Sequence, residues 1–164
     1  MEDSIKDKID ISLLEKQHSA QIAKLAVCLT QEIIERTGVH QFDVNDALAT
    51  SLCEQYIANG QYHVLAAHYE DRIIGFGSLC ESHSLYAEGT FGILQEFYVL
   101  PEYRSHNVGQ LLIDKIATYA KQKNWKRLEL CTPPVPEFDR TVAFYKDNGF
   151  EITGGYKMKR IISS

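Results

Sequence analysis

The sequence predicts one α/β domain: a mixed, mostly antiparallel central sheet of six to seven strands flanked by four helices. Three observations carry this. Strand-like and helix-like periodicities alternate along the chain: a strand, two helices, three strands, then helix, strand, helix and two strands. The 164 residues, 45% apolar and 24% charged, suffice for one sizeable core. No repeat, low-complexity tract or linker-like stretch interrupts the pattern, so a single domain is expected over 1–164.

In order, residues 9–14 alternate as a first strand. Residues 18–36 carry Ile22, Leu25, Ala26, Leu29, Ile33 and Ile34 on one helical face, and Gly38 closes that helix. Asp43 or Asn45 caps a second helix, which runs through Leu48, Leu52 and Tyr56 to a stop at Asn59-Gly60. Residues 62–69 and 73–80 form a hairpin around Glu70-Asp71-Arg72, and 82–89 is a polar connection. A strand over 93–100, rich in β-branched and aromatic residues, stops at Pro101. The next helix begins near Asn107, with Val108, Leu111, Leu112, Ile116 and Tyr119 at helical spacing, and ends at Lys123-Asn124. Residues 125–131 read as a strand with Leu128 and Leu130 on one face. The run Thr132-Pro133-Pro134-Val135-Pro136 can continue neither a helix nor a central strand. A helix over 139–147 follows, with Gly149 as its left-handed C-cap. Strands over 150–152 and 156–162, around the turn Gly154-Gly155, complete the chain.

Composition removes several function classes. A net charge of −5 argues against nucleic acid as a partner, which needs a basic face, and is compatible with a cationic substrate. No apolar run is long enough to span a membrane, and MEDSIKDKID is too charged for a secretory signal. Cys28, Cys53, Cys80 and Cys131 form no C-x-x-C pair and have no clustered histidine, so neither zinc nor a disulfide framework is expected. His63 and His68 fall on opposite faces of one strand and make no metal pair. A reducing cytoplasm is the expected compartment.

The most informative stretch is LQEFYVLPEYRSHNVGQLLIDKI, residues 94–116. A strand here passes through Arg104-Ser105-His106-Asn107-Val108-Gly109 directly into a helix. Orphan N–H groups, a helix dipole and a guanidinium around one point favour an anion such as phosphate. A plain strand-to-helix connection has the same outline. Further on, Phe144-Tyr145-Lys146-Asp147-Asn148-Gly149-Phe150 pairs a helix end with a glycine cap and a following strand.

Together these segments resemble the GNAT superfamily of N-acetyltransferases. Its signature is Arg or Gln, two residues, Gly, one residue, then Gly or Ala, after a strand ending in V-x-P-x-x-R; Val99, Pro101, Tyr103, Arg104 and Gly109 match it. Asn107 stands at the first glycine, where asparagine tolerates a left-handed backbone and can also cap a helix. The second segment matches the family's F/L-Y-x-x-x-G-F. Seven residues before its tyrosine, where the family often has Asn, stands Phe138; Asp139 is then the expected helix cap. The resemblance covers roughly residues 72–160.

The resemblance implies a splayed strand pair holding acetyl-CoA as co-substrate, with no metal. Backbone groups of Phe97, Tyr98 and Val99 would bond the pantetheine arm, and the loop Arg104, Ser105, His106, Asn107, Val108, Gly109 and Gln110 would hold the pyrophosphate. Arg104 would add charge-assisted bonds, while His106 is expected to face solvent. Tyr145 matches the family's general acid for the departing thiolate; a helix tyrosine packed under the sheet is the alternative. Glu96 is the candidate base, because strand alternation puts it on the face of Tyr98, opposite Gln95 and Phe97. A structural or pocket-lining carboxylate is its alternative. The oxyanion would fall to a backbone N–H, that of Phe97. Cys131 lacks an identifiable base and is not expected to act as a nucleophile.

These features imply a transferase moving an acetyl group to a primary amine of a small molecule in a ternary complex. A non-catalytic acyl-CoA-binding module and a protein N-terminal or lysine acetyltransferase are the alternatives. A homodimer, built on the exposed edge of the last strand, is a possible assembly.

Overall fold

In the computed structural model, which describes residues 5–40 and 43–162, five strands form one sheet. They are β1 (Asp10–Leu13), β2 (His63–Tyr69), β3 (Arg72–Ser84), β4 (Gly89–Val99) and β5 (Leu128–Leu130). They lie across the sheet in sequence order, antiparallel from β1 to β4 and parallel between β4 and β5. Residues 1–4, which open the charged N-terminal stretch, lie outside the described residues.

The chain divides into two units, Met1–Leu130 and Cys131–Ser164. The first contains the whole sheet and the helices α1 (Ser19–Thr37), α2 (Asp46–Ala58) and α3 (Val108–Gln122). Short 3-10 turns occur at Ile5–Lys8, Lys16–His18 and Pro101–His106. Local chemistry explains the boundaries. Gly38, at φ 70°, closes α1, and Asn45 caps α2 by accepting the Leu48 N–H at 2.8 Å. Glu70 (φ 50°) and Asp71 (φ 61°) supply the two left-handed residues of a tight hairpin whose twist suits β2 and β3. Half of the polar stretch 82–89 is strand, because the β3–β4 ladder continues to Ser84 paired with Gly89, and residues 85–88 are the turn between them. Half-exposed polar residues alternate there, and strand reasoning keyed to apolar runs passes over such a ribbon.

One face of the sheet packs Ile22 and Leu25 of α1 and Cys53 of α2 with Val64, Phe76 and Tyr98. The other packs Val108 and Leu112 of α3 with Ala67, Ile74 and Val99. Close approach on the α3 side depends on glycine. A Cβ on Gly77 would stand 2.7 Å from Ile116 Cδ1, and one on Gly92 only 2.4 Å from Trp125 Cε3. The indole cannot easily move aside: its Nε1–H donates to Glu81 Oε1 at 2.7 Å, and the rings of His63 and Tyr119 stand edge-on to it. Gly92→Ala is therefore expected to cost about 1–3 kcal/mol through overpacking. Urea unfolding checks this, and an unchanged midpoint would show that the indole relaxes freely.

The second unit contains α4 (Asp139–Asp147). Asp139 is the first helical residue and not the cap; Phe138 holds the cap position without a side-chain cap bond. The helix ends as its sequence requires, with Gly149 at φ 89° and the Phe150 N–H donating to Tyr145 O at 3.0 Å. The strands expected over 150–152 and 156–162 do not form, and residues 151–162 are exposed, Tyr156 at 97%. A strand needs a partner ladder as well as a pattern, and Gly154 and Gly155, both at positive φ, break this segment in two. The sheet thus has five strands instead of six to seven, and the last-strand edge proposed for a dimer is not present as a strand.

Candidate active site

The middle of β4 departs from regular pairing at one residue. Ser78 pairs with Glu96 and Leu79 with Leu94, so Gln95 is an extra residue, a β-bulge. The bulge corrects the simple alternation: Gln95 comes to the same face as Glu96, where it interacts with the Cys80 thiol on β3. The Glu96 N–H donates to Ser78 Oγ at 3.0 Å. The Glu96 carboxylate receives the Tyr62 hydroxyl, at 3.1 Å from Oε1 and 3.2 Å from Oε2. Ser78 is fully buried, and the Tyr62 ring packs on Tyr56 with centroids 5.1 Å apart.

Burial pushes the Glu96 carboxyl above the usual carboxylate range, while the Tyr62 and Ser78 hydroxyls act in the opposite direction by stabilising the anion. Tyr62 itself is pushed well above an ordinary phenol, by burial first and then by the neighbouring carboxylate. Its proton is therefore fixed, which leaves Glu96 as the group of this pair able to accept one. Burial also raises the thiols of Cys53 and Cys80, both of which feel the Glu96 charge. A carboxylate tuned upward by burial is suited to general base work near neutral pH.

β5 pairs with β4 only from Gly92 to Leu94, while β4 runs on to Val99. The Leu100 N–H donates to Ile74 O at 2.9 Å, which sets the phase of the antiparallel ladder. In that phase Tyr98 turns its backbone groups toward β3. Phe97 and Val99 turn theirs toward the side that β5 has left. Of the three residues expected to present backbone groups, Tyr98 is thus committed to the sheet, and Val99 O accepts from Arg104 Nε at 2.9 Å.

The turn Pro101–His106 leads into α3 through Asn107, which adopts φ 63°, ψ 19°. This is the left-handed conformation expected of it, though its side chain makes no cap bond. The Leu111 N–H returns to Asn107 O at 3.1 Å, and the N–H groups of Val108, Gly109 and Gln110 precede the first intrahelical bonds. They form an anion-favouring helix start. Ser105 is exposed, His106 is partly exposed, and the Gln110 amide turns along the helix to Asp114 Oδ1 at 3.0 Å.

Arg104 does not reach forward from this loop. Its Nη1 and Nη2 donate to Glu32 of α1 at 3.2 and 2.8 Å, and its guanidinium lies 5.3 Å from the centroid of the Tyr98 ring. With Nε on Val99 O, it braces the loop against α1 and β4, so the anion-favouring groups of the loop are its backbone N–H groups.

The model of the Acetyltransferase (GNAT) family matches residues 30–150. The chain belongs to the GNAT acetyltransferase family. A curated relative, an uncharacterized N-acetyltransferase of Archaeoglobus fulgidus, is 32% identical over 69 residues, which cover 41% of this chain and 46% of that protein. The chain thus spans about half the length of that relative. Among solved structures, a ribosomal-protein-alanine N-acetyltransferase of Brucella melitensis biovar Abortus 2308 superposes with TM-score 0.73 at 21% identity, over 93% of this chain and 99% of that one. An aminoglycoside acetyltransferase from an uncultured soil metagenomic sample gives 0.71 at 16% identity, over 98% of each chain. At these identities the structural matches show the fold alone.

Tyr145, the residue of the second GNAT-like segment, is buried on α4 between the rings of Phe144 and Phe150, each 5.5 Å away. Burial raises its phenol above the ordinary value, so it stays protonated through the neutral range. Tyr62 and Ser78, which hold Glu96, escaped sequence reasoning. They lie 34 and 18 residues from it and join it only through the sheet register and the bulge. The GNAT loop also gives a direct test of Asn107. Because the left-handed region costs an ordinary L residue about 1–2 kcal/mol and asparagine less, Asn107→Ala is expected to weaken CoA binding by up to about tenfold. Asn107→Gly is expected to match or exceed the wild type. Calorimetric titration with CoA reads both, and equal affinities for the three proteins would refute a conformational role.

Proposed function

We propose that this protein transfers an acetyl group from acetyl-CoA to a primary amine of a small molecule, by direct attack in a ternary complex and in the cytoplasm. The observation that carries the reading is Glu96. A half-buried carboxylate with a raised pKa sits where β4 outruns β5, one residue from Phe97, whose backbone groups turn away from β3. The residues fit acetyl-CoA: a strand that runs on past its parallel neighbour suits the amides of pantetheine, and the left-handed Asn107 followed by the α3 N-terminus suits a pyrophosphate.

Each service then falls to a group of this chain. An alkyl ammonium with a pKa near ~10 is mostly protonated at neutral pH, so Glu96 takes its proton, directly or through water. The amine attacks the thioester carbonyl, the Phe97 N–H stabilises the charge developing on its oxygen, and collapse of the adduct breaks the C–S bond while the nitrogen releases its surplus proton to solvent. The backbone of Phe97 and Val99 aligns the pantetheine, while the N–H groups of residues 105–110 hold the pyrophosphate. The likeness of the Tyr145 segment to the family's F/L-Y-x-x-x-G-F supports this tyrosine as the donor to the departing thiolate. No metal is needed in this scheme.

The test is free-thiol release from acetyl-CoA against amines, polyamines, aminoglycosides, amino acids and short peptides. Turnover confined to one class of small amine supports the reading and names the acceptor type. Turnover with peptides alone would replace it with a protein acetyltransferase. Tight CoA binding without turnover on any member would replace it with a binding module.

A further inference from the structure

Glu96 is held in a balance that the general-base reading does not by itself explain. Its side chain is partly withdrawn from water, and desolvation without a compensating donor would favour the protonated, non-basic form. The Tyr62 phenol donates almost symmetrically to the two carboxylate oxygens, at 3.1 and 3.2 Å. Ser78 Oγ accepts from the Glu96 N–H at 3.0 Å, and its hydroxyl also favours the ionised carboxylate. Among the described residues, the thiols of Cys53 on α2 and Cys80 on β3 feel the carboxylate's charge, Gln95 bonds Cys80 on the same face, and Tyr56 packs behind Tyr62. Both thiols are kept neutral by burial, so hydroxyl groups rather than a cation stabilise the anion.

The geometry is also specific about direction. Tyr62 directly precedes β2, and Ser78 lies on β3, so the two hydroxyls reach Glu96 from different parts of the sheet. A symmetric donor restricts rotation of the carboxylate plane and leaves lone pairs on both oxygens for an incoming ammonium. Resting on the general-base reading of Glu96, we propose that Tyr62 is a positioning residue for the transfer reaction, clamping the Glu96 carboxylate in its ionised form and in one orientation. Tyr62 does not exchange its own proton. It sets the pH at which Glu96 can accept one.

Tyr62→Phe retains the ring and its packing on Tyr56 and removes only the donor. The anion then loses a stabilising bond, so the Glu96 pKa rises further. Because the base must be ionised, the acid limb of the kcat/KM profile moves to higher pH. Activity on that limb is expected to fall about tenfold, with the alkaline plateau within about threefold of wild type. Titrating the Glu96 side-chain carboxyl by 13C NMR reads the clamp without any activity. Tyr56→Phe, which keeps the neighbouring ring, serves as the packing control, and thermal melts confirm that each variant is folded.

The expected result is an upward shift of the carboxyl titration in Tyr62→Phe, absent in Tyr56→Phe, with the acid limb following it. An unmoved carboxyl titration in Tyr62→Phe, or an equal shift in Tyr56→Phe, overturns the clamp. A carboxyl titration that moves while the acid limb stays fixed overturns the positioning role by removing Glu96 from the reaction. That result is distinct from failure of the hydrogen bond itself.

Discussion

Glu96→Gln is expected to lower kcat/KM by about 10²–10⁴-fold, the usual range for loss of a general base, while making the protein more stable at neutral pH. The two effects have one cause. Burial raises the folded-state pKa of Glu96 above its unfolded value, so between those values the native state binds more protons than the unfolded chain. Stability from this group is therefore fully present below the unfolded pKa and is lost as pH rises through the folded one. Glutamine is neutral at every pH and still accepts from the Tyr62 hydroxyl. Its advantage should be greatest above the folded pKa of Glu96 and vanish in acid, where the wild-type carboxyl is protonated. Melts across pH 4–8 beside steady-state kinetics decide it. Loss of activity with a lower Tm at all pH values would mean that the carboxylate is a structural hydrogen-bonding hub. Full activity would remove it from the reaction.

Such a trade is expected where a local rule is broken for function, and β4 shows how far sequence can foresee it. The strand itself was legible, since its β-branched and aromatic residues and its stop at Pro101 are local signals. So was the left-handed Asn107, because asparagine's tolerance of that conformation is intrinsic to the residue. Gln95 was not legible. A bulge is a property of register between two strands, and nothing within LQEFYV marks one residue as extra. The consequence is chemical: alternation alone puts Gln95 across the sheet from Glu96, whereas the bulge sets both on one face beside Cys80.

Arg104 marks the same boundary from the other side. Its place in the signature suggested a phosphate ligand, because the loop is electropositive by construction. Its partner Glu32 lies 72 residues earlier on α1 and could not be identified from spacing. The C-terminal segment reverses the lesson. Residues 156–162 have strand-like composition, yet they remain exposed without a ladder, because strand formation depends on a neighbour that the segment does not carry.

Tyr145→Phe is expected to lower kcat about 10²-fold while leaving the affinity for CoA unchanged, and it separates an enzyme from a binding module. The size follows from acidity. A CoA thiol has a pKa near ~8.5, like that of a cysteine, whereas an ordinary phenol lies near ~10 and burial pushes Tyr145 higher still. Complete proton transfer from the phenol to the thiolate is therefore uphill. The useful contribution is a hydrogen bond that strengthens as charge develops on sulfur, which places the effect at the lower end of the range for general acids. The ring contacts with Phe144 and Phe150 are retained in phenylalanine, so stability should change little. Leaving-group dependence provides the sharper reading. Thioesters of more acidic thiols need less help, so the deficit of Tyr145→Phe should shrink with them. A deficit that stays constant across leaving groups would assign Tyr145 to packing, and a variant with wild-type turnover would remove the phenol from the mechanism.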